Sequence, residues 1–376
     1  MRGLTVGETS TDTNPVLQLY TRSGEFLADP VEATYQIDDI RDPSAAPISQ
    51  VSPTALDLTA APVGQKLGTG RFYLPSTDTS GWSTGTHRAV VQYRMVAGGR
   101  LYTQIILFEV LDAGDFFTGS SYVGYVPTRR LYQDGLYSLA GTLPERLHLS
   151  INQASLQLEA WTQRFFEPRY MQQRIDGTQQ SRLFLRHAII ALDKLEQLDR
   201  NTDGFDATST IDAGDYKVYN RHLDGLLNPD DRDNPILAIA QDIGMLDKTS
   251  YVTAGAFPSG RGNLLVSGVF GYTDPEPQSG RVLIGNTPLE LSRIITALVE
   301  RATTDPSMSS LATQNPGSVK SYKTRDQAIA FFGDASSSTS YGGWTGDPML
   351  DQAILRFAKP ARAEYDDRDA FDTGRI

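Results

Sequence analysis

The sequence contains no cysteine. Its absence excludes disulfide frameworks, thiolate nucleophiles and cysteine-ligated zinc. Basic residues are also in short supply, with 34 Lys and Arg against 45 Asp and Glu, which gives a formal net charge of −11. Because nucleic-acid binding needs a patch of Lys and Arg to neutralise phosphates, this charge argues against an isolated nucleic-acid-binding module. The negative net charge is still compatible with a channel through which DNA passes without being bound.

Long apolar runs are missing too. No segment approaches the roughly 18 consecutive apolar residues of a transmembrane helix. Residues 1–15 lack the apolar core of a signal peptide. The sequence therefore predicts a soluble protein that is made in the cytoplasm and has no membrane partner.

Motifs of the common catalytic classes are absent as well. There is no G-x-S-x-G elbow for a serine nucleophile, and Gly64–Gly70 lacks the Gly-Lys-Ser/Thr ending of a phosphate loop. The histidines have no metal-binding spacing; they are His87, His148, His187 and His222. A glycosidase carboxylate pair assembled from distant residues stays an open alternative. The sequence otherwise predicts neither an enzyme nor a cofactor.

One short motif suggests a cation site. Asp199, Asn201 and Asp203 stand at positions 1, 3 and 5 of a calcium loop, and Gly204 stands at position 6. Position 12 is Thr210, where a bidentate glutamate belongs. The same residue types are also those of a solvated turn. The motif therefore leaves two alternatives, a metal site and an Asx-turn loop.

The first third of the chain has the pattern of a β-sandwich. Runs with period-2 alternation, rich in Val, Ile, Tyr and Thr, are separated by Gly, Pro, Ser or Asp clusters. These runs are Val16–Thr21, Val31–Ile37, Gly70–Leu74, His87–Val96 and Leu101–Leu111. Short strands with no helix between them predict an immunoglobulin-like antiparallel β-sandwich over residues 1–113. Residues 1–13 are polar and predict a loose arm, and Trp82 is a candidate core aromatic.

A linker is predicted at 114–140, followed by a long helix. Six aromatics in and beside the linker indicate that it packs against the next domain; they are Phe116, Phe117, Tyr122, Tyr125, Tyr132 and Tyr137. The helix begins near Leu147 and is predicted to end at Glu167-Pro168, because proline disfavours helical geometry before it. One apolar stripe follows steps of four and three; it consists of Leu147, Ile151, Ala154, Leu158, Trp161 and Phe165.

The helix carries a second, thinner apolar face. Leu149, Leu156 and Ala160 lie roughly opposite Leu147 on the helical wheel. A helix with two apolar faces usually has two packing partners, and the second is either another part of the chain or another copy of it. We therefore predict a subunit interface at Leu149, Leu156 and Ala160.

The rest of the chain mixes strands and helices. We predict a hairpin of Tyr170–Ile175 with Arg182–Leu185, a strand over Ala188–Leu195 and a short helix over Ile236–Leu246. Gly268 and Gly271 in the predicted strand Leu264–Tyr272 indicate close backbone approach or a bulge. Helices follow from a capping box at Thr287, from Thr324 to Phe332, and from Asp347-Pro348 to Phe357. Residues 361–376 are predicted to be a flexible tail, with Tyr365, Phe371 and Ile376 available to a partner.

Several pieces of residues 141–360 resemble a known family. These pieces are a long helix ending in FFEPR, a segment with IDG, the strand HAIIALDKL and the later VSGVFGYTDP. Together they are similar to phage head-tail connector (adaptor) proteins. The resemblance implies a small helical adaptor core with inserted hairpins, assembled as a ring between portal and tail. It also implies a dodecamer that matches the portal.

The sequence thus supports two functional hypotheses of different classes. In the first, the chain is a virion protein of the head-tail neck. It forms a ring that binds the portal and tail or stopper proteins, and DNA passes through the lumen without sequence-specific binding. In the second, a β-sandwich module for carbohydrate or cell-surface binding is fused to a helical anchor. The fold class predicted in both cases is α+β.

Overall fold

The structure is a computed structural model with a mixed α+β fold, as predicted, and most of its regular structure is β-sheet. It describes residues 2–11, 17–76, 79–112, 121–137, 144–201, 204–219, 231–239, 256–274, 285–304, 319–322, 329–331, 345 and 347–359. Within these residues, no helix is long and apolar enough to cross a membrane.

The first ten strands belong almost entirely to two sheets. Their bounds are β1 (Arg2–Thr5), β2 (Gln18–Tyr20), β3 (Arg22–Ser23), β4 (Phe26–Leu27), β5 (Glu32–Asp39), β6 (Ile48–Ala55), β7 (Lys66–Gly68), β8 (Arg71–Tyr73), β9 (Gly85–Arg94) and β10 (Leu101–Leu111). One sheet has the order β1-β10-β9-β5-β6, and the other has the order β2-β8-β7. Each of the five strand runs predicted for this region contains a strand.

The two sheets enclose one core. Leu19 and Phe72 from the smaller sheet are buried in the same cluster as Tyr35, Val91 and Phe108 from the larger one. Inward residues alternate along the strands, which is why the period-2 pattern was visible in the sequence. Trp82 is also part of this core, as predicted.

The N-terminal residues are not a loose arm. Strand β1 pairs in parallel with the end of β10, from Arg2 opposite Phe108 to Thr5 opposite Leu111. Leu4 is completely buried in the sandwich core. The prediction was wrong because four residues are too short to show alternation. The edge of β10 and the core pocket for Leu4 determine their conformation.

The described residues after α2 contain nine more strands. Their bounds are β11 (Arg169–Gly177), β12 (Arg182–Phe184), β13 (Ile189–Asn201), β14 (Gly204–Ile211), β15 (Tyr216–Tyr219), β16 (Ile236–Ile239), β17 (Gly260–Phe270), β18 (Val319–Tyr322) and β19 (Ile329–Phe331). The main sheet has the order β11-β17-β13-β4-β3, with β14 also paired to β13. A Cβ at Gly268 would lie 2.6 Å from the carbonyl oxygen of Ala191, so the predicted close approach is confirmed.

Three local predictions in this half were wrong. β11 and β12 do not form a hairpin, because β11 pairs with β17 while β12 pairs with β16 in a separate sheet. The predicted helix from Ile236 begins as a strand, β16, since its apolar residues complete that small sheet. Ile329–Phe331 is also a strand rather than the end of a helix, and it pairs with β18.

Four helices complete the described fold. They are α1 (Thr128–Gln133), α2 (Pro144–Thr162), α3 (Leu289–Thr304) and α4 (Pro348–Phe357). The predicted inner stripe of α2 is buried against apolar residues of α3 and α4, with Leu147, Ile151 and Leu158 almost inaccessible to solvent. α2 ends at Thr162, earlier than predicted, because Gln163 adopts a left-handed conformation with φ of 54°. α4 begins after Asp347 as predicted, and its carboxylate accepts hydrogen bonds from the N–H groups of Met349 and Leu350.

Residues 121–137, the described part of the predicted linker, pack into the helical core. Tyr122, Tyr125 and Tyr132 are buried among the apolar residues of α2 and α3, which confirms that the described part of this segment packs. Phe116 and Phe117 lie outside the described residues.

The two halves of the chain also share a sheet, because β4 of the first half pairs with β13 of the second at Phe26 and Leu192. The backbone N–H of Leu192 donates to the carbonyl of Glu25 over 3.0 Å.

Candidate subunit interface

Helix α2 presents the residues predicted as a subunit interface toward its outer side. Leu156 is 44% exposed, Ala160 is also exposed, and Leu149 is half-buried. We call these three residues the outer face of α2. In the described structure they are not absorbed into the buried stripe that contacts α3 and α4. An exposed leucine on a helix whose other faces are buried is therefore available to a second molecule.

A third face of α2 is polar and buried, and sequence reasoning missed it. His148, Asn152, Ser155 and Glu159 follow steps of four, three and four, so they lie in one row along the helix. Asn152 accepts a hydrogen bond from the N–H of Val123 over 2.8 Å, and Ser155 accepts one from the N–H of Tyr125 over 3.2 Å. This row fixes the rotation of α2 about its axis and so determines which residues point outward. The same four-three-four spacing in the sequence was the signal that could have revealed it.

The row begins at a buried polar cluster, which we call the polar joint; it consists of Thr86, Glu109, Thr128 and His148. Glu109 on β10 accepts hydrogen bonds from the hydroxyl of Thr86 over 2.7 Å and from the N–H and hydroxyl of Thr128, each over 2.9 Å. Nε2 of His148 lies 3.1 Å from Oε2 of Glu109, the same oxygen that accepts the hydrogen bond of the Thr128 hydroxyl. All four side chains are completely buried. The joint thus ties the sandwich, α1 and α2 together.

The row ends at an ionic cluster around Arg169. Its guanidinium contacts Glu159 of α2, and its Nε donates to Glu167 over 2.9 Å. The hydroxyl of Tyr125 donates to Glu159 and accepts from the N–H of Phe166 over 3.1 Å. Burial, followed by the charges of Glu167 and Glu159, raises the pKa of Tyr125 well above its ordinary value. Tyr125 therefore remains a hydrogen-bond donor at physiological pH.

A cleft of about 580 Å³ opens beside β10, and we call it the edge cleft. Five consecutive residues of the strand, Gln104–Phe108, line it. Since side chains of a strand alternate between faces, five consecutive lining residues indicate that the cleft follows the strand's edge. Among the described residues that edge is open before Phe108, because β1 pairs only with Phe108–Leu111. Across the cleft, the guanidinium carbon of Arg71 lies 3.3 Å from the ring centroid of Tyr170.

The other predicted site residues are not brought together by the described structure. Asp199 and Asn201 lie at the end of β13, and Gly204 begins β14, so the candidate calcium loop is divided between two paired strands. Asp203 lies outside the described residues, as do Tyr365, Phe371 and Ile376 of the predicted partner-binding tail. The parts of the chain that are described contain no cluster of three His, Asp or Glu residues suited to a metal ion. The cation site and the tail contact stay predictions.

The described histidines are at least partly buried. His87 stacks on Trp82 with ring centroids 5.4 Å apart, and burial lowers its pKa. His148 belongs to the polar joint, and His187 lies beside Phe165 with centroids 4.8 Å apart. His222 lies outside the described residues. Comparison with known proteins gives no further assignment, since no protein-family model and no curated protein matches this sequence.

Proposed function

We propose that the protein is a structural subunit of a virion, a head-tail adaptor that forms a ring between the portal and the tail. The observation that carries the proposal is the outer face of α2. Its exposed leucine stands on a helix that is held on its other sides by an apolar core and by a buried polar row. Repetition of one such contact around a closed ring makes a modest apolar patch sufficient for assembly.

The resemblance to head-tail connector proteins supplies the partners of this ring. The ring is a dodecamer that binds the portal on one side and tail or stopper proteins on the other. DNA passes through its lumen without sequence-specific binding, in keeping with the net charge of −11. The protein acts in the virion neck after synthesis in the host cytoplasm, and its role is structural rather than enzymatic.

The N-terminal half is proposed to be an immunoglobulin-like domain at the outer rim of the ring. The strand order supports this assignment. In chain order β2, β5, β6, β7, β8, β9 and β10 correspond to strands B, C, C′, D, E, F and G, because β10-β9-β5-β6 reproduces the sheet G-F-C-C′ and β2-β8-β7 reproduces B-E-D. The second part of the chain, in which α2, α3 and α4 accompany the larger share of β-sheet, is the proposed adaptor core.

The ring contact is tested by placing a charge on the outer face. Leu156→Glu is expected to leave the subunit folded and to reduce the assembled species to one chain, as measured by light scattering after size exclusion. Burial of a leucine contributes about 1.5–3 kcal/mol, and the introduced carboxylate would also lose its hydration without a partner. The matched control is Leu355→Glu on α4, because Leu355 is a leucine of similar exposure, 39%, on another helix.

Two outcomes would contradict the proposal. If Leu156→Glu unfolds the chain while the control does not, the outer face belongs to the subunit's own core. If the variant assembles as well as the control, the outer face does not make the ring contact. Circular dichroism separates the first outcome from loss of assembly in a folded subunit.

A second candidate is a β-sandwich module that binds carbohydrate or another cell-surface ligand. The edge cleft favours it, because the cleft combines an aromatic ring, Tyr170, with the polar side chains of Gln104 and Arg71. Aromatic faces and a few directed polar groups are typical of ligand-binding clefts. The mass of the wild-type protein in solution distinguishes the two candidates. A ring is expected for the adaptor, and a monomer that binds glycans is expected for the module.

A further inference from the structure

The edge cleft exposes main-chain groups of β10 that no described strand pairs with. The backbone N–H of Val6 donates to the carbonyl of Leu111 over 2.8 Å, so this carbonyl points toward β1. Main-chain groups of successive residues in a strand point to alternate edges, and β10 pairs with β9 in continuous register. Those of Ile105 and Leu107 therefore point to the same edge as that of Leu111. Since β1 reaches only Phe108–Leu111, these two residues offer N–H and C=O groups to the cleft.

The side chain of Gln104 lines the cleft without a hydrogen-bond partner. The residue is 6% exposed, and neither end of its amide bonds to any residue that the structure describes. Buried polar groups in folded proteins are nearly always paired, because they have lost their hydration. A half-turn of the amide exchanges its oxygen and its nitrogen, so it can meet either a donor or an acceptor. A ligand with N–H or C=O groups in the cleft would satisfy it.

The cleft also contains an arginine without a counter-charge. The guanidinium carbon of Arg71 lies 3.3 Å from the ring centroid of Tyr170, and its Nε is buried without an acceptor. The other charged residues of the lining are Arg169 and Glu167, which pair with each other over 2.9 Å. Arg71 makes no ion pair within the described parts of the chain. A carboxylate of a ligand would supply one, and a guanidinium already held on a ring loses little freedom in binding it.

The shape of the cleft selects a single extended segment. Glu167–Tyr170 stand beside the open edge and line the same cleft. A second copy of the sheet would need this space, so pairing between two β10 edges is blocked. The volume of about 580 Å³ lies within the roughly 300–1,000 Å³ of ligand clefts, and the five lining residues of β10 span about 13 Å. An extended peptide repeats N–H and C=O groups as a strand edge requires, whereas a glycan does not.

We propose that the C-terminal segment of the chain, residues 361–376, binds in the edge cleft of its own subunit as an added strand beside β10. The segment carries five acidic and three basic side chains, so it can bring a carboxylate to Arg71. It contains no proline, so each of its N–H groups can pair. Tyr365 and Phe371 are separated by an even number of residues and lie on one face of an extended segment. The predicted partner-binding tail thus has its partner within the chain.

The described end of the chain is close enough for this. The backbone N–H of Lys359 donates to the carbonyl of Thr162 over 3.0 Å, and Glu167 already lines the cleft. The chain from Thr162 to Glu167 spans at most about 18 Å, while residues 361–376 span up to about 55 Å when extended. A short tether holds a segment at millimolar effective concentration, which favours the segment of the same chain over that of a neighbouring copy. The contact does not depend on the ring proposed above, so either conclusion can fail without the other.

Disulfide trapping tests the contact in the full-length protein, because the chain contains no cysteine of its own. Ile105→Cys is combined with Tyr365→Cys or with Phe371→Cys, so that two registers of the segment are sampled. Mild oxidation is expected to give an internal bridge, seen as one chain of altered mobility on a non-reducing gel and located by mass spectrometry. The matched control is Ile48→Cys with the same partners, since Ile48 is an exposed strand residue on β6, at the far edge of the same sheet. Bridging should be roughly tenfold faster at Ile105 than at Ile48.

A second substitution tests the charge. Arg71→Gln, added to the better of the two Ile105 pairs, is expected to slow bridging roughly tenfold, as for the loss of one charge-assisted hydrogen bond. Its control is Arg130→Gln on α1, an arginine paired with Asp134, which should leave the rate unchanged. Circular dichroism checks that each variant is folded, and light scattering follows assembly separately.

Three results would overturn the proposal. Equal bridging at Ile105 and Ile48 would show that the segment does not enter the cleft. An unchanged rate in Arg71→Gln would show that its carboxylates do not meet this arginine. A bridge at Ile105 that joins two chains would assign the cleft to the segment of a neighbouring copy.

Discussion

The polar joint makes a quantitative prediction about stability. Glu109→Ala removes the acceptor of four hydrogen bonds and leaves the Thr86 hydroxyl, the Thr128 donors and Nε2 of His148 buried beside a small cavity. Hydrogen bonds to a charged group contribute about 1.5–3 kcal/mol each, and removing one partner of a buried pair typically costs about 3–5 kcal/mol. We expect the free energy of unfolding to fall by about 3–5 kcal/mol, since the surrounding donors share one penalty rather than adding independently.

Two further substitutions separate the joint from a general effect of losing a glutamate. Glu109→Gln keeps the shape of the side chain and one acceptor oxygen, but its amide NH₂ group is a donor where the second carboxylate oxygen was an acceptor. We therefore expect the free energy of unfolding to fall by roughly 1–2 kcal/mol. Glu32→Ala removes a glutamate that is 60% exposed and paired with Arg94, and it should cost less than about 1 kcal/mol.

The assay is equilibrium unfolding in urea, followed by far-ultraviolet circular dichroism and tryptophan fluorescence. The slope of free energy against urea should be the same for the three variants and the wild type, so that midpoints report stability directly. A loss below about 1 kcal/mol for Glu109→Ala would refute the reasoning, because it would mean that the joint does not hold the sandwich to α1 and α2. An equal loss for Glu32→Ala would refute it as well.

Two other predictions test particular residues. Burial and neighbouring positive charges lower the pKa of His187 to about 4 in the folded chain, and it is near 6.5 in the unfolded chain, so the unfolded state binds the proton first as pH decreases. The free energy of unfolding should therefore fall between about pH 6.5 and pH 4. Urea unfolding in phosphate-free buffer should show a smaller fall for His187→Gln than for the wild type. Leu4→Ala should lower the free energy of unfolding by about 2–5 kcal/mol, since Leu4 is completely buried, and an unchanged value would show that β1 does not contribute to the core.

The elements that the sequence predicted well are those whose pattern is local. The inner stripe of α2 and the cap of α4 each depend on residues within a few turns of one helix, and both are present. The sandwich strands were visible because one face of each strand is buried and the other is not. In the same way, Leu156 was predictable as an outward residue from its angle on the helical wheel alone.

The elements that were missed depend on distant partners. Strand β1 is a strand because β10 offers an open edge more than a hundred residues later. β11 and β12 looked like a hairpin because they are adjacent in the chain, but β17 and β16 pair with them instead. The polar joint draws its side chains from β9, β10, α1 and α2, which are separate elements. No spacing within one segment could have shown that Glu109 and His148 meet.

The sheet shared by the two halves has a consequence for the order in which the chain folds during synthesis. The sandwich sheet can be completed once the end of β10 has left the ribosome, because β1 pairs with β10 up to Leu111. The hairpin of β3 and β4 must wait longer, because its neighbour β13 reaches to Asn201. At about 5–20 residues per second the delay is roughly 4–18 s. During that interval β4 of the nascent chain exposes its edge at Phe26 without its partner β13. On one polysome, β13 of a neighbouring copy can therefore pair with β4, which is a domain swap.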